Sequence, residues 1–297
     1  MGLAIIGGSG AYDLLAGALS VHAAIGRRET PFGPSAPVHV VSLGGREVLF
    51  MSRHGERGYS TTARFVNYRA NVYALRDLGA ERVVAWSGPG AIDASLEIGQ
   101  YVVPDDVLDE THAREDTFFT GGTVGFIRQS PVFCPTLRAA ALDACLQGER
   151  PVRDGGTYCC TEGPRLESPA QIRKLRLLGG HLVGMTLCPE VFLARELGMC
   201  YAAVCYVTNL AEGIVERPFR PGVLFEGLLG DEEAAQVRAA VDGFVGIVER
   251  LAMGLTMGLS PLSHHPRDSG ACVCSRLMER YIRRGVVGED WRGWVGR

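Results

Sequence analysis

The chain has 297 residues, of which 46% are hydrophobic and 21% charged, and its formal net charge is −3 at pH 7. This length and composition are typical of a globular protein with one large α/β domain or two smaller ones. The small negative charge argues against nucleic acid or an anionic membrane as a partner, and no apolar run reaches the roughly 18 residues of a membrane span. The amino terminus lacks a basic and then apolar leader, so the sequence predicts a cytoplasmic protein.

Strands and helices alternate in the first third of the chain. The stretch "LAIIGG" predicts a strand that runs into a glycine turn, and "APVHVVSL" and "REVLFMS" predict two more strands. The stretch "FVNYRANVYALRDLG" has apolar residues at helical spacing and ends in glycine, as helices often do. The next strand is predicted in "RVVAWSGPG", which ends in a glycine-rich loop.

The same alternation continues to residue 255. The stretches "YVVPDD" and "MCYAAVCYVTN" predict strands, "CPTLRAAALDACLQG" predicts a helix, and "HLVGMTLCPEVFLARELG" predicts a strand, a loop and a helix. One long amphipathic helix is predicted in "DEEAAQVRAAVDGFVGIVERLAMGL". The pattern indicates an α/β fold in residues 1–260, a single domain with a central mixed, mainly parallel β-sheet flanked by helices. Residues 261–297 are predicted to form a polar, basic C-terminal extension that packs late or on a partner subunit.

The nine cysteines are scattered and odd in number, unlike the disulfide framework of a small secreted protein. Cys272 and Cys274 form a C-x-C sequence in the polar tail, with His264 and His265 nearby. Paired zinc ligands are normally separated by two or more residues, so this spacing argues against a metal site. A redox or disulfide role and no special role both remain open for the two cysteines, and no metal is expected.

Polar residues cluster where predicted strands end, which is the edge where open α/β sheets bind ligands. In "IIGGSGAYD", glycines let the backbone approach a phosphate and the Ser9 hydroxyl can donate to it, although a tight turn explains the loop equally well. In "MSRHGERG", Arg53 can bind a phosphate through two N–H groups and His54 can add a contact; a solvated charge cluster is the alternative.

Two further loops also place polar groups where predicted strands end. In "AWSGPGAID", Ser87 and the backbone N–H of Gly88 suit an oxyanion, and in "VGMTLCPEV" Thr186 precedes a predicted helix, where a capping role is the simpler explanation. The sequence shows no Ser-His-Asp order, HExxH or CxxC pair that would compete with these loops. Taken together, the four loops predict a phosphate site without a metal.

Six motifs then appear in order along the chain. They are "IIGGSGAYD", "RHG" followed by "VNYRANVYAL", "SGPGAID", "TEGPRLES", "GMTLCPEV" and "VTNLAEG". In this order they resemble the motifs of the trimeric purine nucleoside phosphorylase and methylthioadenosine phosphorylase family, from residue 3 to about 213 and more weakly to about 256. The resemblance implies cleavage of a purine nucleoside by inorganic phosphate as co-substrate, without a cofactor, in a trimer or a stacked pair of trimers.

The resemblance also assigns roles to residues. It implies that phosphate is bound by Ser9, Arg53, His54, Ser87, Gly88 and Thr186. Met185 would lie against the ribose, and Leu166 would take the place of an aromatic residue that stacks on the base in relatives. Glu167 and Asn209 would face the purine edge, and Phe126 would close the pocket of a neighbouring subunit. Many relatives have a further His after "RHG" where this chain has "ERGYSTT", so phosphate is expected to be held by a somewhat different loop.

Asn209 and Glu167 predict the choice of base. Relatives that use 6-aminopurines carry acidic residues in the place of "TNLA", whereas the amide of Asn209 can donate to O6 and accept from N7–H. The Glu167 carboxylate would accept from the N1–H that a 6-oxopurine has and adenine lacks. Sites of this kind can reject a mismatched base by a factor on the order of 10⁴. The predicted substrate is a 6-oxopurine nucleoside such as inosine or guanosine, although a turn role for Asn209 and a helix-terminal role for Glu167 remain open.

The 5′ end of the sugar is less constrained by the sequence. The segment "GIVERPFRPGVLFEGLLG" contains no His to meet a 5′-hydroxyl but offers Val223, Leu224 and Phe225, which suit a 5′-methylthio group unless they belong to the core. Methylthioinosine is therefore also a candidate substrate. The alternatives are a methylthioadenosine phosphorylase, a nucleosidase that uses water, a dinucleotide-dependent oxidoreductase and a catalytically silent relative.

Overall fold

The computed structural model describes residues 2–8, 20–56, 59–121, 124–217, 221–223, 228–254 and 272–295. Its strands are β1 (Leu3–Gly7), β2 (Ser20–Gly26), β3 (Glu29–Thr30), β4 (Gly33–Pro34), β5 (Val38–Leu43), β6 (Arg46–Ser52), β7 (Arg82–Ser87), β8 (Gly90–Ala91), β9 (Tyr101–Val103), β10 (Asp106–Glu110), β11 (Val152–Asp154), β12 (Thr157–Thr161), β13 (Gly180–Gly184), β14 (Cys200–Tyr206) and β15 (Asn209–Leu210).

The helices in these ranges lie mostly between the strands. They are α1 (Tyr68–Asp77), α2 (Pro135–Leu146), α3 (Pro169–Leu177), α4 (Leu187–Glu196), α5 (Asp231–Asp242), α6 (Phe244–Gly254) and α7 (Glu279–Arg283), together with short 3₁₀ helices at Ala63–Phe65, Cys274–Arg276 and Trp291–Gly293. No helix in the described ranges is long and apolar enough to cross a lipid bilayer.

Within the described residues, eight strands form the central sheet, in the order β11-β9-β14-β7-β1-β6-β5-β2. β1 pairs in parallel with β6 and β7, and β14 pairs in parallel with β7, whereas β5 and β2 extend the sheet antiparallel. Ala4 and Ile6 of β1 pack in one hydrophobic cluster, and Leu3 and Ile5 pack in another. Alternate residues therefore face opposite, covered sides of the sheet. The predicted mixed, mainly parallel sheet flanked by helices is confirmed.

A second sheet, which sequence analysis did not predict, carries part of the ligand pocket. It contains five strands among the described residues, in the order β10-β12-β13-β8-β15. β8 and β15 are only two residues long, too short to give an alternating apolar pattern in the sequence. The loops Gly163–Ser168 and Met185–Thr186 follow β12 and β13, so this sheet presents them beside the central one.

The long helix predicted in residues 231–255 is wrong, because the chain forms two helices, α5 and α6, that meet at Gly243. The hydroxyl group of Tyr101 donates a hydrogen bond to the carbonyl oxygen of Ala240 at 2.7 Å. In an unbroken helix that carbonyl would accept from the N–H of Phe244. A Cβ atom at position 243 would lie 2.4 Å from the Tyr101 hydroxyl oxygen, so a glycine is needed where the tyrosine approaches.

The described part of the C-terminal extension, residues 272–295, packs on the core of its own chain. Met278 and Trp294 are buried in the same cluster as residues of the central sheet. The Trp291 ring lies 5.0 Å from that of Tyr73 on α1, and Arg292 forms an ion pair with Asp77 at 2.8 Å. This segment therefore contributes apolar contacts to the domain despite its polar composition.

Candidate active site

The carboxyl ends of three neighbouring parallel strands meet at a cavity of about 540 Å³. Gly8 follows β1, His54 lies just beyond β6, and Ser87 ends β7; all three residues line the cavity. This is the edge where α/β sheets bind ligands. A Cβ atom on Gly8 would lie 2.8 Å from the carbonyl oxygen of Trp86, so a glycine lets the two strand ends lie this close together.

Three hydroxyl groups gather at one end of the cavity. The Ser87 Oγ lies 3.2 Å from the Tyr158 hydroxyl oxygen and 3.4 Å from the Thr186 Oγ1. Burial raises the pKa of Tyr158, so its hydroxyl stays protonated. The Gly88 backbone also lines the cavity, and a Cβ there would lie 2.8 Å from Tyr206. Neutral hydroxyl donors grouped in this way suit an oxyanion.

Thr186 precedes helix α4, but its hydroxyl makes no capping hydrogen bond. Cys188, in the first turn, has φ −103° and ψ 136°, so the regular geometry of a helix start is absent there. The Thr186 Oγ1 instead accepts a hydrogen bond from the Arg53 Nη1 at 3.3 Å. The capping explanation therefore does not describe this hydroxyl, which faces the cavity.

Arg53 forms a fully buried ion pair with Glu190 behind the cavity wall. Its Nε donates to Oε1 at 2.6 Å and its Nη2 donates to Oε2 at 3.0 Å. The other Arg53 N–H groups donate to Thr186 and to the carbonyl oxygens of Ile6 and Trp86, each at 3.3 Å. Burial lowers the pKa of Arg53, but the charge and hydrogen bond of Glu190, together with the charges of Tyr201 and Tyr68, outweigh this effect, so the pKa lies above its usual value. The structure therefore pairs the Nε and Nη2 groups of Arg53 with Glu190, and the predicted contact of Arg53 with phosphate stays a prediction.

His54 is buried beside the hydroxyl cluster and lines the cavity. Its Nδ1 lies 2.9 Å from the carbonyl oxygen of Thr61, which can only accept, so Nδ1 carries the hydrogen. Burial, reinforced by the charge of Arg53, lowers the pKa of His54 to about 4. At neutral pH the ring is uncharged, and its Nε2 is an acceptor. Ser9, the remaining predicted phosphate ligand, lies outside the described residues.

Asn209 also lines the cavity, and it lies in a strand, not in a turn. It opens β15, which pairs in parallel with β8 so that Asn209 lies opposite Gly90. Its Oδ1 accepts from the Thr208 hydroxyl at 2.7 Å and its Nδ2 donates to the Leu210 carbonyl oxygen at 2.9 Å. A primary amide has two donor and two acceptor positions, so one of each remains for a ligand.

Glu167 lines the same cavity as Asn209, and so do Leu166 and Met185. The Thr161 hydroxyl donates to the Glu167 Oε1 at 2.5 Å, which fixes the carboxylate. Ser168 is the capping residue of helix α3, so Glu167 lies outside that helix. The structure thus brings Glu167 and Asn209 to one cavity from different loops, as the sequence predicted.

Sequence analysis missed several residues that shape the site. Arg114 donates to the carbonyl oxygens of Met185 at 2.7 Å and Thr161 at 3.0 Å, which joins the two loops that carry Met185 and Glu167. Its local sequence, "THAREDTF", gives no sign of this role. A usable signal existed for Glu190, because an acid within the apolar run "LCPEVFLA" needs a partner if that run is buried.

Phe126 and Val223 do not line this cavity in their own chain. The Phe126 side chain is 94% exposed, and its backbone N–H donates to the Tyr281 hydroxyl oxygen at 3.0 Å. Val223 is 38% exposed, and Leu224 and Phe225 lie outside the described residues. The apolar wall is instead formed in part by Leu229 and Val237, which sequence analysis did not select.

Comparison with known proteins agrees with this geometry. The chain matches the family model described as "Phosphorylase superfamily" over residues 3–245. It is 44% identical over 222 residues to a probable 6-oxopurine nucleoside phosphorylase of Korarchaeum cryptofilum, with 71% of this chain and 80% of that protein covered. It is 43% identical over 218 residues to a probable S-methyl-5′-thioinosine phosphorylase of Methanothermobacter thermautotrophicus, with 71% and 72% covered.

A solved structure shows the same fold. The chain superposes with a TM-score of 0.77 on a methylthioadenosine phosphorylase sourced from an antarctic soil metagenomic library. The two are 28% identical, and the match covers 92% of this chain and 90% of that one. The matched residues 3–245 include both ends of the cavity. The chain therefore belongs to the phosphorylase superfamily, and its predicted resemblance to nucleoside phosphorylases is confirmed.

Proposed function

We propose that this protein cleaves 6-oxopurine nucleosides with inorganic phosphate and releases the free purine and a pentose 1-phosphate. The observation that carries the proposal is one cavity lined both by the hydroxyl donors Ser87 and Thr186 and by the Asn209 amide and the Glu167 carboxylate. Relatives named as 6-oxopurine nucleoside phosphorylase and S-methyl-5′-thioinosine phosphorylase support it. The reaction needs no cofactor, because phosphate itself is the second substrate.

The hydroxyl end would hold phosphate. Ser87 and Thr186 supply O–H donors, and the Gly88 backbone and Ser9 are the further contacts that the family resemblance implies. Arg53 would act through Thr186, whose hydroxyl it orients. Neutral His54 presents Nε2 as an acceptor, and phosphate at neutral pH still carries a P–OH group that can donate to it. The site would thus bind phosphate through dipoles more than through a net positive charge.

The proposed reaction mechanism follows from the residues that would bind phosphate and those that would bind the purine. As the bond between C1′ and purine N9 breaks, positive charge develops on the sugar, and a phosphate anion below the ring stabilises it. A phosphate oxygen then bonds to C1′, while the electron pair of the broken bond stays on the purine. The free Asn209 N–H would donate to O6 and so stabilise this charge. Holding both substrates in one cavity reduces the entropic barrier to their reaction.

Base selection follows from the groups at the purine edge. The Glu167 carboxylate can accept from the N1–H of a 6-oxopurine, whereas the N1 of adenine is itself an acceptor. Asn209 retains one donor for O6 and one acceptor for the N7–H that forms when the departing purine anion takes up a proton from water or from the P–OH group of phosphate. Adenine would leave buried polar groups unpaired on both partners, which hydrogen-bonding sites reject strongly. The geometry therefore favours 6-oxopurines over the alternative, methylthioadenosine.

The 5′ end of the sugar is proposed to meet an apolar surface. Leu229 and Val237 line the cavity, and both are aliphatic. An apolar wall gives a methylthio group favourable burial and gives a 5′-hydroxyl no hydrogen-bond partner. We therefore expect 5′-methylthioinosine to be a better substrate than inosine.

The active form is proposed to be a homo-oligomer, a trimer by family resemblance, in which Phe126 covers the pocket of a neighbouring subunit. The 94% exposure of this aromatic side chain supports a role outside its own chain. Light scattering of the active enzyme should give a mass of at least three chains. A monomer with full activity would contradict the assembly.

The substrate panel tests the proposed function. Initial rates should be measured with inosine, guanosine, 5′-methylthioinosine, adenosine and 5′-methylthioadenosine at saturating phosphate. We expect the 6-oxopurines to exceed their 6-amino counterparts in kcat/KM by at least 100-fold, and methylthioinosine to be the fastest. Faster cleavage of methylthioadenosine than of every 6-oxopurine would show that the base assignment is wrong.

Asn209→Asp tests the purine edge directly. The substitution replaces the donor to O6 by an acceptor, which an exocyclic 6-amino group can pair with instead. The ratio of kcat/KM for inosine to that for adenosine should fall by about 10- to 100-fold, since an unpaired buried polar group is unfavourable by about 1–3 kcal/mol.

Asn67→Asp is the matched control for this variant. Asn67 is the capping residue of helix α1, its side chain accepts from the N–H of Ala70, and aspartate caps helices equally well. The control should leave the substrate ratio unchanged. An unchanged ratio in Asn209→Asp as well would mean that Asn209 has only a structural role.

A further inference from the structure

Four cysteines that are far apart in the sequence meet at one buried point, away from the cavity. Cys134, Cys200, Cys272 and Cys274 are all buried, and their sulfur atoms lie within 4.8 Å of one another. Cys134 directly precedes helix α2, Cys200 begins strand β14, and the other two belong to the C-terminal segment. Neither the phosphate end nor the purine end of the cavity uses any of the four.

The backbone around this cluster positions the sulfur atoms. The N–H of Cys134 donates to the carbonyl oxygen of Tyr201 at 2.9 Å, which sets the start of α2 beside the start of β14. The C-terminal segment approaches at Gly198, where a Cβ atom would lie 3.5 Å from the Ser275 Cα. The Cys272 Sγ then lies 3.5 Å from the Cys134 Sγ and 3.3 Å from the Cys200 Sγ.

These distances match a metal centre better than a disulfide. A Zn–S bond of about 2.3 Å in a tetrahedral site places its sulfur ligands about 3.8 Å apart. The observed separations of 3.3 and 3.5 Å, with none above 4.8 Å, lie around this value. A disulfide would require about 2.05 Å. Four sulfur ligands at the corners of a tetrahedron are typical of zinc or of iron.

A buried cation lies beside the cluster. Arg195 is 4% exposed, and its Nη1 and Nη2 donate to the carbonyl oxygens of Val132 at 3.2 Å and Arg128 at 2.7 Å. Its Nε has no hydrogen-bond partner among the described residues. A zinc ion with four thiolates carries a net charge of −2, which this guanidinium would partly offset.

We propose that Cys134, Cys200, Cys272 and Cys274 together bind one structural Zn²⁺ ion. Each thiol loses its proton when the metal binds, and four protein ligands leave no open position for a substrate. The ion would fasten the C-terminal segment to α2 and β14. The C-x-C spacing argued against a metal in the sequence because it offered one short pair of ligands, whereas the structure adds two ligands from the core, Cys134 and Cys200.

Metal analysis of the full chain tests this site. Protein purified under reducing conditions in the presence of zinc, then desalted, should contain about one Zn²⁺ per chain. The double variant Cys272→Ser, Cys274→Ser should lose it, whereas Cys145→Ser, which changes a buried cysteine outside the cluster, should keep it. Zinc that is retained by the double variant, or absent from the wild type, would overturn the proposal.

A second measurement does not depend on how the variants fold. Replacing zinc by Co²⁺ in the wild-type chain should give the intense sulfur-to-cobalt charge-transfer absorption of a tetrahedral tetrathiolate. A chelator should lower the Tm of the wild-type chain by several degrees, and restoring zinc should reverse the change. Iron in place of zinc, or two disulfides found by thiol titration of the purified protein, would overturn the assignment.

Discussion

The buried ion pair between Arg53 and Glu190 is the constraint on which the site depends. Both side chains are fully buried, so each charge requires the other to offset the loss of water. The pair joins the loop after β6 to helix α4, and a third Arg53 N–H group turns the Thr186 hydroxyl toward the cavity. Removing either partner would leave an unpaired buried charge and release the loop that forms the phosphate end.

The proposed phosphate and purine sites of the cavity would therefore bind their ligands through different kinds of interaction. The phosphate end has little net charge available, because Glu190 neutralises Arg53 and burial keeps His54 uncharged. It would bind an anion through hydroxyl and backbone dipoles whose positions are fixed before the reaction begins. Dipoles held in this way stabilise the charge that develops in the transition state. The proposed purine end would select by pairing donors with acceptors, and hydrogen bonds from Thr161 and Thr208 hold the Glu167 and Asn209 side chains.

The sequence predicted the features that depend on neighbouring residues, such as strands and motifs. The features that depend on contacts between residues far apart in the chain became visible only in the structure. The buried strands β1 and β7 follow from short apolar runs, and the shared cavity of Asn209 and Glu167 was expected from motifs that resemble those of the family. The partner of Arg53 lies 137 residues away, so no local pattern could identify it. The break at Gly243 likewise depends on Tyr101, which approaches from another strand. The four converging cysteines were hidden for the same reason.

Product analysis by ³¹P NMR tests the central claim, that phosphate is the nucleophile. Inosine and the enzyme should be incubated with and without inorganic phosphate, and the sugar product identified. The account predicts that hypoxanthine appears only with phosphate and that each equivalent is matched by one equivalent of ribose 1-phosphate. Hypoxanthine released together with free ribose at an equal rate without phosphate would contradict it and indicate a nucleosidase that uses water.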